Sequence, residues 1–460
     1  MRRENMSIVD NKELRADLAE KVDVDLQPTK ERIMDPLSYG ASFLGGCVSI
    51  GTFSMGASLI GLLTVLQAVI AMIIGCVVIA VALVFIGNCG HKYGITYSTQ
   101  LRSTFGTAGV KVPGFMRAVP AIIWFGFQSW VGAEAINSCF KILFGISNLP
   151  VVFILFTILQ VALGIKGFKE IKWMENFSCI FIIAILIYML YIVNVNFAGE
   201  IHGVFSNITG SWGMPFWAAT TSFLGIYATM IINASDYARN LQHKVGPTHT
   251  GIIYTVAILP VTLFMGLIGL LVTAATGNSD PVAVFSTTMN NTFLTVLTLA
   301  FIAFAQVTTN VLNNIVPPAY VLMDTFHLKW SWSTIIVGAL SICSFPWRLV
   351  TSDSAVGLSL FTKIYSAFLG PIFAVMVVDY YFLRKQQIDV NTLYDKEGVF
   401  KGVNWAGIIA ILVGAACSLL VVDISWYVSL IPSGLVYYLL MKNMKSVKKF
   451  RTGTIFEEKE

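Results

Sequence analysis

Twelve long apolar runs, separated by short polar breaks, constrain this chain more than any other feature. They lie at about 37–62, 65–87, 118–144, 150–166, 173–195, 213–235, 250–275, 293–322, 333–350, 359–383, 404–422 and 424–441. Roughly 20 apolar residues of helix, at about 1.5 Å each, cross the ~30 Å hydrocarbon core of a bilayer. Each run is therefore read as a membrane-spanning helix, numbered span 1 to span 12. Only a brief polar break at Asp423 divides spans 11 and 12, so eleven is the alternative count. Only 12% of the residues are charged and 56% are hydrophobic, a balance that suits lipid as the solvent for the outer surface.

The basic residues set an orientation. All but three of the 30 Lys and Arg (Lys141, Arg348 and Lys363) fall in the terminal segments or in the loops after even-numbered spans. Such asymmetry predicts both termini on the cytoplasmic side of the cell membrane and an even number of spans. The first ~35 residues hold no apolar signal core, so span 1 is expected to direct insertion itself. The seven cysteines form no C-x-x-C pair and read as small apolar residues.

Several function classes drop out. No Lys/Arg stripe interleaved with aromatics is present for nucleic acid. The five histidines (His91, His202, His243, His249, His327) form no H-E-x-x-H, and no phosphate-binding Gly-x-x-x-x-Gly-Lys loop occurs, so an enzyme or ATP-driven pump is not expected. No obligate protein partner is evident.

Spans 1 and 6 carry helix-weakening residues: Gly40, Gly45, Gly46 and Gly51 with Ser42, Ser49 and Thr52, and Thr220-Thr221-Ser222 with Gly225. They open successive groups of five spans, which predicts two inverted five-span repeats, 37–195 and 213–383, with broken spans 1 and 6 and a binding site at midplane. Spans 11 and 12 (404–441) are then additions, flanked by terminal segments 1–36 and 442–460. The alternative is that the small residues are only packing faces.

Polar residues inside the spans are mostly neutral. Trp124 and Gln128 share one face of span 3, an indole to stack on a flat ring and an amide to read its edge, or else an interfacial Trp and a helix-binding amide. Span 8 holds Thr308, Thr309, Asn310, Asn313 and Asn314, which must avoid lipid. Its hydroxyls, opposite unwound carbonyls of span 1, would make a neutral oxygen cage suited to sodium. Interhelical hydrogen bonding is the alternative. Glu134, the carboxylate well inside span 3, is a candidate proton carrier.

These residues resemble the nucleobase–cation symporter family, which includes the purine/cytosine, hydantoin, allantoin and uracil permeases. The matching motifs run from about 36 to 442. They are Trp124-Phe125-Gly126-Phe127-Gln128-Ser129-Trp130, Ala228-Thr229 through Asp236-Tyr237-Ala238-Arg239, and Thr309-Asn310-x-x-Asn313-Asn314 before Pro317-Pro318-Ala319. Pro346-Trp347, Tyr365 through Pro371, Asp379-Tyr380-Tyr381 and Asn404-Trp405 follow. Pro346-Trp347 and Leu369-Gly370-Pro371 look closer to the hydantoin/allantoin branch. The resemblance implies the five-plus-five fold with alternating access. It also implies Trp124 stacking on substrate, Gln128 and Asn314 hydrogen-bonding it, and a backbone contact at Ile226. Tyr227 stands where a second stacking Trp is common, Ile226 where a small residue is usual, and Ser49 where the hydantoin carrier has a longer amide. Sodium would fall on Gly45, Val48, Ala305, Thr308 and Thr309. The expectation is a sodium-driven importer of a small planar nitrogen heterocycle. Proton coupling, an amino-acid or vitamin carrier on the same fold, and a sensor or channel are the alternatives.

Overall fold

The computed structural model describes residues 16–47, 49–166, 184, 187–280, 282–284, 291–349 and 354–458. Regular structure among them is helical, apart from one bridge between Met34 and Leu241. Among the described residues, seven helices are long and apolar enough to cross a membrane: Val65–Tyr93, Leu149–Lys166, Met214–Ile232, Pro247–Thr276, Thr292–Phe326, Gly357–Leu383 and Val422–Asn443. They occupy spans 2, 4, 6, 7, 8, 10 and 12. Shorter apolar helices, Ile187–Asn196, Trp330–Cys343 and Trp405–Leu420, occupy spans 5, 9 and 11. Most of predicted span 5 lies outside the described residues. Span 3 is the 34-residue helix Lys111–Phe144, and span 1 is split.

The outer surface is apolar. Leu66, Ile73, Val77 and Val81 line one exposed stripe of span 2, and Leu155, Ile158 and Leu159 one of span 4. The polar side chains turn inward, as a lipid environment requires. Among them, Gln128, Gln160, Asn310, Asn313, Asn314 and Asp379 are buried.

Span 1 runs Pro36–Cys47, then Ile50–Ala57. Ser49 is extended (φ −123°, ψ 137°), and its hydroxyl accepts the Gly51 N–H at 3.1 Å, capping the second half. The break is therefore where the glycines and hydroxyls crowd. Part of the small-residue set does serve packing: a Cβ at Gly56 would stand 1.9 Å from the Gly266 carbonyl oxygen of span 7.

Span 6 breaks elsewhere than its Thr220-Thr221-Ser222 sequence indicates. Those hydroxyls bond back to Trp217 and Ala218 carbonyls at 2.7–3.0 Å, so the helix continues through them. It ends at Ile232, and the chain turns at Asn233 (φ −100°, ψ 25°) before a short helix, Ala234–Ala238. In span 8 a π-helical segment, Val311–Ile315, precedes Pro317 and Pro318.

One end of the bundle is capped by the N-terminal segment. Arg239 donates to Thr29 Oγ1 and to the Asp25 and Gln27 carbonyls, and Met34 exchanges backbone hydrogen bonds with Asn240 and Gln242. At that end Asp379 is buried, bonded by Arg384 (2.9 Å), Thr104 (3.0 Å) and Tyr437 (2.8 Å). This accounts for the Asp379-Tyr380-Tyr381 motif as a joint between span 10, the loop helix Tyr97–Phe105 and span 12.

Candidate binding cavity

Spans 1, 3, 6 and 8 line a cavity of about 20 Å³, whose walls include Ser49, Trp124, Gln128, Ile226, Tyr227 and Asn314. These six are the substrate-contact candidates of the sequence. Gly46, Thr229, Met230, Thr309 and Asn313 complete the wall.

The amides form a directed row. Gln128 donates to Ser49 Oγ at 3.2 Å and accepts from Asn314 at 3.3 Å, and Asn314 donates to Asn310 Oδ1 at 2.8 Å. Asn310 in turn donates to Phe125 O, Ser129 Oγ and Gln160 Oε1 at 3.0–3.1 Å. Asn310 thus ties span 8 to spans 3 and 4, whereas Asn314 and Gln128 face the cavity. A space this small holds one or two waters.

Trp124 is fixed by a contact that sequence reasoning missed. Its indole N–H donates to Tyr365 Oη at 3.2 Å, and Tyr365 donates to the Gly225 carbonyl at 2.6 Å. Three spans are joined through one phenol. The signal is present as Tyr365 of the Tyr365–Pro371 motif, but its role needs the fold. Gly51 allows the indole its place, because a Cβ there would lie 2.7 Å from Trp124 Cη2. Tyr227 points its hydroxyl at Thr262 Oγ1 (2.8 Å), so its phenol is anchored to span 7 and its ring borders the cavity.

Of the cation candidates, Thr309 donates to the Gly45 carbonyl at 2.9 Å, joining spans 8 and 1, and Thr308 donates to the Ala305 carbonyl at 3.2 Å. Val48 lies outside the described residues. The structure therefore brings Gly45 to Thr309, and Ala305 to Thr308, as neutral oxygen pairs. Glu134 stands apart from the cavity wall, half-buried, with Oε2 unbonded.

Arg117 corrects the charge pattern. Read as the end of a loop, it lies inside the Lys111–Phe144 helix and is fully buried. Arg102 is likewise buried and paired with Asp324.

Known proteins agree with this architecture. A hydantoin permease of Microbacterium maritypicum is 26% identical over 90% of this chain and 88% of its own length. An allantoin permease of Bacillus subtilis is 26% identical over 91% and 92%. A purine-uracil permease of Arabidopsis thaliana is 27% identical over 91% and 78%. Among solved structures, the nucleobase-cation-symport-1 family transporter Mhp1, in a closed conformation with bromovinylhydantoin bound, superimposes with a TM-score of 0.84, 23% identity, and coverage of 94% of this chain and 99% of that one. Its inward-facing conformation gives 0.80, at 24% identity and with 95% and 96% covered. The all-helical membrane fold stands and is shared with these solved transporters, and these relatives are permeases rather than enzymes. The match to the family described as permease for cytosine/purines, uracil, thiamine and allantoin extends over residues 27–441, and this chain is a multi-pass membrane permease of that family.

Proposed function

We propose that the protein is a cation-coupled importer of a small planar nitrogen heterocycle, with hydantoin, allantoin and uracil first among the substrates and cytosine or purines second. The observation that carries the reading is that Thr309, hydrogen-bonded to Gly45, also lines the cavity that gathers Trp124, Gln128, Tyr227, Ile226, Asn314 and Ser49. One residue then belongs to both the ion site and the substrate wall.

In this reading the ring stacks between Trp124 and Tyr227, and its amide edge takes hydrogen bonds from Gln128 and Asn314. Sodium is the coupling ion, carried as cargo on the carbonyls of Gly45, Val48 and Ala305 and the hydroxyls of Thr308 and Thr309. Neutral oxygens suit sodium, while a divalent ion usually wants carboxylates. For Thr309 to face a cation, its hydroxyl turns its proton away from the Gly45 carbonyl, leaving both oxygens free. Because Thr309 is also part of the cavity wall, an ion held there and a ring in the cavity bear on the same side chain, and the resulting dependence of their affinities is reciprocal. The two five-span repeats, 37–195 and 213–383, move against each other, and both termini lie in the cytoplasm beneath the cell membrane.

A proton-coupled reading draws on Glu134, whose Oε2 is buried without a hydrogen bond. Uptake of labelled hydantoin, allantoin and uracil into proteoliposomes, under an imposed sodium or pH gradient, separates the two in wild type and Glu134→Gln. Sodium-driven accumulation that survives Glu134→Gln supports the reading. Full pH-driven accumulation without sodium, abolished by Glu134→Gln, refutes the sodium assignment. Binding without accumulation under either gradient indicates a sensor, and competition by zwitterionic amino acids indicates an amino-acid carrier.

A further inference from the structure

Arg117 sits seven residues before Trp124, two helical turns or about 10 Å from it along span 3, toward the end capped by the N-terminal segment. Its side chain is fully buried and reaches two places where a backbone ladder is interrupted. At the break of span 6, Nε and Nη2 donate to Asn233 Oδ1 at 2.9 and 2.7 Å. In span 8, Pro317 has no N–H to give the carbonyl of Asn313 four residues earlier. Arg117 Nη2 donates to that carbonyl at 2.9 Å. Tyr237, just past the span 6 break, holds Asn313 Oδ1 at 3.0 Å, and Asn313 is part of the cavity wall. One guanidinium therefore clamps spans 3, 6 and 8 together immediately below the cavity.

The hydrogen-bond acceptors are neutral, and this matters for a part that has to let go; the buried Asp236 carboxylate, held by the Tyr97 N–H at 2.7 Å, bears on Arg117 only through space. Pulling an Arg–carboxylate pair apart in a low-dielectric interior strands two charges. Releasing a guanidinium from an amide and a carbonyl strands one, and Nη1, which has no hydrogen-bond partner among the described residues, is already available to a new acceptor.

We propose that Arg117 is a positioning residue for transport, a latch that shuts the cavity toward the N-terminal-segment end and must disengage from Asn233 and Asn313 in each cycle. The inference rests on the permease reading above, and its main test needs no substrate. Hydrogen–deuterium exchange is followed by mass spectrometry on the full-length protein in detergent, for wild type, Arg117→Gln, Arg117→Lys and Asn233→Asp. Loss of bonds from a buried charged donor raises opening by about tenfold or more, so Arg117→Gln speeds exchange by that factor in peptides covering 229–241 and 311–326. Peptides covering 137–148, at the other end of span 3, stay unchanged. Arg117→Lys, which keeps the charge and loses the fork, falls between. Asn233→Asp sets a carboxylate against the guanidinium, tightens the latch and slows exchange in the same peptides. Both Arg117→Gln and Asn233→Asp slow uptake, one by leaving the path unsealed and the other by holding it shut. Exchange that rises in both variants, that rises throughout the protein, or that stays at wild-type values in Arg117→Gln overturns the proposal. If Arg117→Gln does not accumulate as folded protein, the opposite signs expected for Arg117→Lys and Asn233→Asp decide.

Discussion

Asn310 and Asn314 are one helical turn apart and chemically identical, yet the structure gives them different tasks. The Asn310 amide holds Phe125, Ser129 and Gln160 at 3.0–3.1 Å, all on neighbouring spans and all away from the cavity wall. Truncation to Ala leaves Gln160 Oε1 and the Asn314 amide short of a partner in a dry interior. At about 1–3 kcal/mol for each buried group left unpaired, Asn310→Ala should cost roughly 2–6 kcal/mol of stability. Asn314 bonds only Asn310 and Gln128, and it lines the cavity. On the proposed reading Asn314→Ala removes a group whose bonds pass to the substrate, so its main effect is expected on binding, about 1–3 kcal/mol, or roughly 5- to 150-fold in Kd. The assay is a pair of measurements on each variant: melting temperature without ligand, and Kd for uracil and hydantoin by calorimetry at fixed sodium. Asn310→Ala should lower the melting temperature more, and Asn314→Ala should raise Kd more. The reverse ranking in both columns would mean that substrate meets Asn310, and that the amide row is assigned backwards.

Four further outcomes follow from the same geometry. Tyr365→Phe removes the link between the Trp124 indole and Gly225 and should weaken substrate binding several-fold with little loss of fold, whereas an unchanged Kd removes Tyr365 from the site's support. Gly51→Ala drives a methyl into the Trp124 ring and should approach the effect of Trp124→Ala, about 1–3 kcal/mol in binding by analogy with base–aromatic stacking, checked by the same titration. Thr309→Ala should lower apparent sodium affinity and, at fixed sodium, substrate affinity, with partial rescue at saturating sodium; a sodium-independent defect would speak against the shared wall. Asp379→Ala leaves the buried Arg384 guanidinium without its carboxylate and should cost about 3–5 kcal/mol of stability, read as loss of folded protein in size-exclusion chromatography with no selective change in Kd of what remains.

The sequence by itself determined the solvent, the helical membrane fold and much of the cavity. Long apolar runs state where lipid must be, because an unpaired backbone in hydrocarbon forces helix and length together. Trp124, Gln128 and Asn314 were legible because a polar or indole group within such a run is costly unless it faces protein or a cavity, and the family motifs narrowed which ones mattered. The break of span 1 was legible too, since Ser49 beside glycines is a local cap. Tertiary structure decided whatever depends on which surfaces meet. Span 6 runs straight through its hydroxyl cluster because each hydroxyl finds its own helix, and it breaks at Asn233 instead, beside the Arg117 guanidinium of another span. Arg117 looked like a loop charge, since sequence cannot tell a solvated arginine from one that satisfies a carbonyl orphaned by Pro317. The division of labour between Asn310 and Asn314 was likewise decided by spans 3 and 4, which approach one side of span 8 and leave the other side to the cavity.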